Sequence, residues 1–316
     1  MFDKLLLISI LDLILGINFL SPIILLKDIS ENREIVYETE KFRNIPYLLP
    51  VTESTYFPIR DWAFADPSIN ARAAILYDLN SEKVLFSAEP EKKLPIASLT
   101  KLMTAVIVIE NADLEDTVTV KNSAIEKSKK EGGGSDLNAG EKIKVSDLLK
   151  LILIESSNDA AYSLDEHLAD KYGISLVEKM NEKAGIIGMG DTLFTEAAGL
   201  DDQNSFSTSQ DLIKLVKYSF RYDLLYDILK IQKTEVVSTD GRLRHQILNT
   251  NQLLGLLFNI IGGKTGFTEL AGGSMILVTE APSGSSRLIT IVLGSSDRFS
   301  DARRLVEWAE KAYIWK

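Results

Sequence analysis

The sequence predicts an α/β fold of the α+β kind, in which helices flank an antiparallel sheet and an all-helical subdomain is inserted into the chain. Two observations support this prediction. Short runs typical of β-strands occur near residues 73–90 and again after residue 230. Between about 122 and 230 the hydrophobic residues mostly recur with the period of a helix. Strands at both ends with helices between them are expected to assemble into one sheet from distant segments.

Composition excludes several classes of function. The chain has 316 residues, 45% of them hydrophobic, which is ordinary for a globular protein. Its net charge of -10 argues against binding nucleic acid by neutralising phosphates. It has no cysteine, and His167 and His245 are its only histidines, so we expect no disulfide, no metal site and no cofactor.

The amino terminus contains an apolar stretch at 5–26 that is long enough to span a bilayer, although Asp12, Asn18 and Pro22 are costly there. No small-residue cleavage site follows it directly. We therefore interpret residues 1–26 as a membrane anchor or signal segment, and favour an uncleaved anchor over a secretory signal or a buried core helix.

Residues 27–66 are predicted to form a tether. Their pattern is polar and irregular, and prolines at positions 46, 50 and 58 would interrupt any long element. The folded body is predicted to begin near Pro67 and to extend to residue 316.

Within the body the elements follow in order. The runs "AAILYDLN" and "KVLFSAEP" predict an antiparallel hairpin, and a helix is predicted over 98–110. The block at 122–230 then contains four segments with helical period. After it come the strand-like runs "EVVSTDG", "GGKTGFT", "GGSMILVTEA" and "RLITIVLGS", and an amphipathic helix ends the chain.

Ser98 and Lys101 are three residues apart at the start of the predicted helix at 98–110. This spacing places a hydroxyl and an amine on one helix face. A serine hydroxyl needs a base before it becomes a good nucleophile, and neither histidine is a convincing base here. A lysine can serve only when its amine is neutral, which requires burial or a neighbouring cation. The apolar residues around Lys101 predict that burial.

Two further short motifs strengthen this interpretation, because a Ser-x-x-Lys pair by itself arises easily by chance. They are Ser156-Ser157-Asn158, in a predicted loop between helices, and Lys264-Thr265-Gly266, on a predicted edge strand. All three motifs in this order are the signature of penicillin-binding proteins and serine β-lactamases.

The chain resembles the D-alanyl-D-alanine carboxypeptidases among the low-molecular-mass penicillin-binding proteins, over about residues 67–316. The stretches "PIASLTKLMTA", "GEKIKVSDLLKLILIESSNDAA", "GLDDQNSFST" and "GGKTGFTELAGG" carry the resemblance together with the motifs. It implies a β-lactamase/transpeptidase-like fold and a penicillin-sensitive serine hydrolase. Such an enzyme removes the terminal D-alanine from peptidoglycan stem peptides through an acyl-enzyme, outside the cytoplasm and near the membrane.

The resemblance also implies residue roles. Ser98 would attack the carbonyl between the two D-alanines, Lys101 would accept its proton, and Ser156 would help to return a proton to the leaving amine. Asn158 would hold the substrate amide or the lysine, and Lys264 would be the second cation that keeps Lys101 neutral.

The remaining implied roles concern substrate binding. Thr265 and Arg298 would bind the terminal carboxylate. Gly266 completes the third motif, and the backbone N–H groups of Ser98 and Phe267 would form the oxyanion hole.

Alternative functions remain open at this point. A D,D-endopeptidase would use the same groups on cross-linked peptides. A β-lactamase would need an acid for rapid deacylation, for which Glu196 is the candidate. A catalytically inactive relative that binds cell-wall peptide is a third alternative. The segment "GGKT" does not fit a phosphate-binding loop, because the glycine five residues earlier and the following helix are both missing.

Overall fold

The computed structural model of the chain describes residues 57–130, 137–200, 204–257, 259–284 and 286–315. These residues belong to a compact unit that extends from Thr52 to Lys316. The predicted anchor at 1–26 and the tether up to residue 56 lie outside the described residues. In the part of the chain that is described, no helix has the length and apolar character needed to cross a membrane.

The described elements are as follows. The strands are β1 (Ile59–Arg60), β2 (Ala73–Asp78), β3 (Lys83–Ala88), β4 (Thr117–Thr119), β5 (Lys142–Lys144), β6 (Lys233–Val237), β7 (Arg244–Leu248), β8 (Ile260–Thr268), β9 (Gly272–Glu280), β10 (Arg287–Ser295) and β11 (Tyr313–Ile314). The helices are α1 (Thr100–Asn111), α2 (Asn122–Lys130), α3 (Val145–Lys150), α4 (Asn158–Tyr172), α5 (Leu176–Ile186), α6 (Ser209–Ser219), α7 (Asp223–Leu229) and α8 (Arg298–Ala312).

The main sheet is antiparallel and has the strand order β3-β2-β10-β9-β8. It unites strands from both ends of the body, which confirms the predicted architecture and the predicted β2–β3 hairpin. Its central strands are buried on both faces because helices cover each face. Ile75 and Ile291 pack toward the helical subdomain, whereas Ala74 and Val292 pack against Leu305 of α8. Strand β8 forms one edge of the sheet and carries the third motif.

The helix that follows Ser98 runs through the centre of the molecule. Leu99, Leu102 and Val106 are almost completely buried, because α1 packs against α4 and α5 of the helical subdomain. Burying a side chain of this size contributes about 1.5–3 kcal/mol. The same packing removes Lys101 from water, so helix α1 contributes both core side chains and a buried amine.

Three details differ from the sequence-based predictions. The hairpin β6–β7 forms a separate two-stranded sheet instead of joining the main one. Strands β4 and β5 form a third small sheet beside the helices. The helix predicted from residue 98 begins as a 3₁₀ turn, Ala97–Leu99, and becomes α-helical at Thr100.

The folded body begins before Pro67, so the predicted boundary lies too late in the chain. Strand β1 pairs with β11, and the Trp308 indole N–H donates to the Ala65 carbonyl at 2.7 Å. The Arg60 guanidinium lies 4.7 Å from the centre of the Trp308 ring and 5.5 Å from that of Tyr313. These aromatic contacts hold residues 59–66 on α8, and a local reading of the polar pattern could not detect them.

Candidate active site

Ser98 lies in a tight turn whose backbone is approached closely by two other segments. The preceding residue, Ala97, has a φ of 50°, which costs a residue with a side chain about 1–2 kcal/mol. A Cβ on Gly266 of β8 would lie 3.0 Å from the Ser98 nitrogen. A Cβ on Gly199 would lie 2.0 Å from the Ala97 carbonyl oxygen. Glycine at these two positions therefore lets the edge strand and the 196–200 loop meet the turn at Ala97–Leu99, where Ser98 is half-buried.

The Lys101 amine is in contact with the Ser98 hydroxyl, as the spacing predicted. Its Nζ lies 2.9 Å from Ser98 Oγ, 2.6 Å from Asn158 Oδ1 and 2.6 Å from the Ala198 carbonyl oxygen. The lysine side chain is fully buried, and this burial lowers its pKa to about 7. The negative charges of Glu196 and Asp159 oppose that shift. The neutral amine is therefore accessible near neutral pH.

A second hydroxyl–amine pair lies on the other motifs. Lys264 donates to Ser156 Oγ at 2.8 Å and to the Thr265 carbonyl at 2.9 Å. Ser156 has a φ of 72° and ends the π-helical turn Leu151–Glu155, so its hydroxyl projects from a sharp change in chain direction. The two hydroxyl–amine pairs come from segments far apart in the sequence.

Electrostatic coupling between the two lysines differs from the sequence-based expectation. That expectation made Lys264 the cation that keeps Lys101 neutral. The pKa of Lys101 is lowered above all by burial. The pKa of Lys264 is also well below its ordinary value. Burial is the largest cause, and repulsion from the positive charges of Lys101 and Arg298 adds to it. Burial is therefore the largest cause of the lowered pKa of each lysine.

The side chains nominated for carboxylate recognition lie around β8. Thr265 is buried and donates from its hydroxyl to Thr250 Oγ1 at 2.7 Å. Arg298 is the first residue of α8, and its positive charge acts on Lys264. Its guanidinium centre lies 6.0 Å from the centre of the exposed Phe267 ring. Arg298 Nε is buried and makes no hydrogen bond to any described residue. The guanidinium thus has an unpartnered donor near Lys264.

Sequence reasoning missed several groups that complete the site. Thr250 supports Thr265, and the Ala198 carbonyl accepts from Lys101. Asp159 is buried next to Asn158 and accepts from the backbone of Leu137 at 3.1 Å, which fixes the start of α4. Only Asp159 had a local signal, as a charged residue directly after the second motif. The others reach the site through long-range contacts.

Glu196 is part of this site, but its carboxylate is already occupied. It accepts from the Tyr162 hydroxyl at 2.8 Å and from the backbone N–H groups of Ala198 at 2.6 Å and Leu200 at 2.9 Å. It also accepts from the N–H of Gly199. The side chain therefore caps a loop and does not point a free oxygen into the cleft.

Neither histidine belongs to the site. His167 contacts Asp116, and His245 contacts Glu141. Within the described ranges, no group of three or more His, Cys, Asp or Glu residues is placed to hold a metal ion. The described residues of the site include the hydroxyls of Ser98, Ser156 and Thr265, two buried amines and a guanidinium.

Comparison with known proteins agrees with this geometry. The sequence profile described as D-alanyl-D-alanine carboxypeptidase matches residues 61–297. A D-alanyl-D-alanine endopeptidase of Escherichia coli is 33% identical over 79% of this chain and 80% of its own length. The D-alanyl-D-alanine carboxypeptidase DacC of the same organism is 36% identical over 77% of this chain, which spans 62% of that longer protein.

The chain also has the fold of a solved penicillin-binding enzyme. The DD-transpeptidase of Streptomyces K15 superposes on it with a TM-score of 0.71 at 26% sequence identity. The match covers 78% of this chain and 98% of the transpeptidase.

Proposed function

Because the chain belongs to the D-alanyl-D-alanine carboxypeptidase family, we propose that Ser98 is the nucleophile with which it removes the terminal D-alanine from peptidoglycan stem peptides. The observation that carries the proposal is the 2.9 Å contact between Ser98 Oγ and Lys101 Nζ. Burial lowers the pKa of this lysine to about 7. A neutral amine at this distance is a general base in hydrogen-bond reach of the hydroxyl proton.

Acylation begins when Lys101 accepts the proton of Ser98 as Oγ bonds to the carbonyl carbon between the two D-alanines. The resulting oxyanion accepts from the backbone N–H groups of Ser98 and Phe267. The approach of β8 to the Ser98 nitrogen supports this assignment, since Gly266 leaves no side chain between them. Donors fixed in advance stabilise the charge as it develops.

Breakdown of the tetrahedral intermediate requires a proton on the leaving amine. Lys264 donates to Ser156 Oγ, so the hydroxyl proton of Ser156 is free to point toward that amine. Ser156 gives this proton as the C–N bond breaks, and the proton that Lys101 took from Ser98 then passes to Ser156, which leaves Lys101 neutral again. Water next attacks the acyl-enzyme carbonyl while Lys101 takes one of its protons. Lys101 returns this proton to Ser98 Oγ as the ester C–O bond breaks, which releases the shortened peptide and the free serine.

Substrate orientation depends on the carboxylate end of the peptide. The guanidinium of Arg298 binds the terminal carboxylate through its Nε–H, which is unpartnered among the described residues, and the hydroxyl of Thr265 joins it by turning its hydrogen from Thr250 to the carboxylate. Strand β8 is an edge strand, so the peptide backbone can align along it. Asn158 holds Lys101 from the opposite side of the cleft.

Incubation of the full chain with a synthetic pentapeptide ending in two D-alanines tests the reaction. We expect mass spectrometry to show loss of one alanine with the native chain and no loss with Ser98→Ala. Ser123→Ala, at an exposed serine of α2, is the matched control and should retain activity. A native chain that leaves the peptide intact, or a Ser98→Ala variant that still shortens it, contradicts the proposal.

A D,D-endopeptidase is the second candidate, because D-alanyl-D-alanine endopeptidases are 33% and 34% identical to the chain over 79% and 77% of its length. Both activities use the same catalytic groups and differ in what occupies the leaving side of the cleft. Incubation with purified cross-linked stem-peptide dimers distinguishes them. Conversion of dimers to monomers faster than release of D-alanine from pentapeptide would favour the endopeptidase.

β-Lactams are expected to acylate Ser98 and to form an acyl-enzyme that is hydrolysed slowly. The Glu196 oxygens already accept four hydrogen bonds, so this carboxylate is not free to activate a deacylating water. A fluorescent penicillin should give a long-lived adduct with the native chain and none with Ser98→Ala. Rapid turnover of the penicillin would instead indicate a β-lactamase, and absence of labelling would indicate an inactive relative.

The apolar stretch at 5–26 is proposed to anchor the enzyme in the cell membrane, with the catalytic unit on the extracytoplasmic side where peptidoglycan lies. There the enzyme would take part in cell-wall biogenesis and cell shape. Fractionation of cells that express the full chain should recover it with membranes, and protease added outside the membrane should digest its body. Recovery in the cytosol would contradict this location.

A further inference from the structure

The loop at 196–200 is shaped by one carboxylate. Glu196 reaches forward along its own chain and accepts from the N–H groups of Ala198, Gly199 and Leu200, while the hydroxyl of buried Tyr162 fixes the carboxylate from α4. A carboxylate that accepts several such bonds holds the backbone more firmly than a neutral side chain would. The conformation of this loop thus depends on Glu196.

The loop at 196–200 contacts both the turn that contains the nucleophile and the lysine that acts as its base. The Ala198 carbonyl accepts from Lys101 at 2.6 Å, and the Ala197 carbonyl accepts from the buried Thr104 hydroxyl at 2.7 Å. Gly199 packs directly against the Ala97 carbonyl, one residue before Ser98. Any change in the loop therefore moves a hydrogen-bond partner of the base and the support of the nucleophile turn.

Charge is the second consequence of this arrangement. The groups that face Lys101 are Asp159 on α4, Glu196 on the loop and Lys264 on β8, with Arg298 behind Lys264. Asp159 accepts from the backbone N–H groups of Leu137 and Ala160. Glu196 is the other negative charge that acts on Lys101, and it lies on the same loop as the Ala198 carbonyl.

We propose that Glu196 is a positioning residue, which fixes the Ala198 carbonyl against the Lys101 amine and keeps a negative charge beside it. The proposal rests on the proposed function, since it concerns how the base of that reaction is held. Glu196 would therefore act in the acylation step, whereas the β-lactamase alternative would make it the general base of deacylation. The carboxylate acts through Lys101 and does not touch the substrate.

The pH dependence of acylation by a fluorescent penicillin tests the charge. Acylation should rise with pH as Lys101 loses its proton. Glu196→Gln removes a negative charge that favours the protonated amine, so the midpoint of this rise should move to lower pH. The plateau rate should fall about tenfold, because the loop loses part of its support. Circular dichroism and thermal unfolding check that the variant is folded.

Two further variants make the result specific. Glu196→Asp keeps the charge with a shorter side chain, so the plateau should fall while the midpoint stays at the native value. Glu307→Gln removes one negative charge from an exposed position of α8 and should change neither quantity. It is the control for net charge.

The proposal is overturned if the midpoint of Glu196→Gln equals that of the native chain, if Glu196→Asp moves it, or if Glu307→Gln moves it as far as Glu196→Gln does. Failure of the proposed function has a different signature. In that case the native chain is not labelled at all, or Ser98→Ala is labelled as well.

Discussion

At the scale of single residues, the site depends on Lys101, whose surroundings accommodate the neutral amine as well as the charged one. Lys101 is surrounded by the acceptors Ser98 Oγ, Asn158 Oδ1 and the Ala198 carbonyl. These three acceptors satisfy the three N–H groups of an ammonium. When the amine is neutral, its lone pair can instead accept from the Ser98 hydroxyl. The same contacts therefore accommodate both protonation states, which a proton acceptor in catalysis needs.

Acylation should depend on pH with a midpoint near 7. Burial lowers the pKa of Lys101 from an ordinary lysine value to about 7, so the reactive neutral form is lost as the pH falls below that value. Lys101→Arg remains charged at every accessible pH and should reduce the acylation rate by about 10²–10⁴-fold. Stopped-flow labelling with a fluorescent penicillin measures both. A flat profile between pH 5 and 9 (roughly two units on each side of the pKa) would contradict this assignment.

Arg298 should matter only for substrates that carry a free carboxylate. Hydrogen bonds to a charged group contribute about 1.5–3 kcal/mol, so Arg298→Ala should lower kcat/KM for the free peptide about 10–100-fold. The same peptide with an amidated terminus lacks this partner and is the control, and its slower reaction should change little. Equal losses for both peptides would mean that Arg298 supports the fold of β8 and α8 instead.

At the scale of elements, close approach of backbones assembles the site. The edge strand β8 and the 196–200 loop meet the turn at Ala97 and Ser98, where Gly266 and Gly199 leave no room for a side chain. Sequence reasoning located Gly266 as part of a motif. It had no means of assigning a role to Gly199, whose neighbour Ala97 is about a hundred residues away in the sequence.

Gly199→Ala should therefore be far more damaging than a glycine substitution with the same backbone conformation elsewhere. Gly199 and Gly188 have φ values of 78° and 79°, but a Cβ on Gly188 meets nothing within 4 Å. Gly188→Ala should cost about 1–2 kcal/mol of unfolding free energy from backbone conformation alone. Gly199→Ala adds an overlap with the Ala97 carbonyl and should cost at least 2 kcal/mol more (an estimate of overpacking), with loss of acylation. Urea denaturation and penicillin labelling measure the two effects, and similar losses of stability would contradict the argument.

At the scale of the whole molecule, the first described residues belong to the catalytic unit. Strand β1 pairs with β11, and Arg60 donates to the Ala312 carbonyl at 3.1 Å while it lies over the rings of Trp308 and Tyr313. The segment 59–66 thus packs on α8, the helix that presents Arg298. The stability of this region and the position of the Arg298 guanidinium, the proposed partner of the substrate carboxylate, are therefore linked through one helix.

Arg60→Ala should lower the free energy of unfolding by about 1–3 kcal/mol, because it loses the hydrogen bonds of the guanidinium, including that to Ala312, and the contact with the aromatic rings. Its matched control is Arg242→Ala, in the turn between β6 and β7, where the side chain is 85% exposed. A surface change of that kind should stay within about 0.5 kcal/mol of the native chain. Chemical denaturation followed by tryptophan fluorescence measures both, and equal stabilities would show that segment 59–66 does not support the fold.

The sequence by itself determined the strands and helices with clear periodicity, and the pairing of Ser98 with Lys101, because these depend on spacing along one element. It also determined the family, since three motifs occur in order. Only the tertiary structure decided that burial is the main cause of the low Lys101 pKa, that Glu196 caps a loop, and that Lys264 reaches Ser156. The physical reason is that burial and electrostatic coupling depend on which distant segments pack together, and no local pattern of residues records those distances.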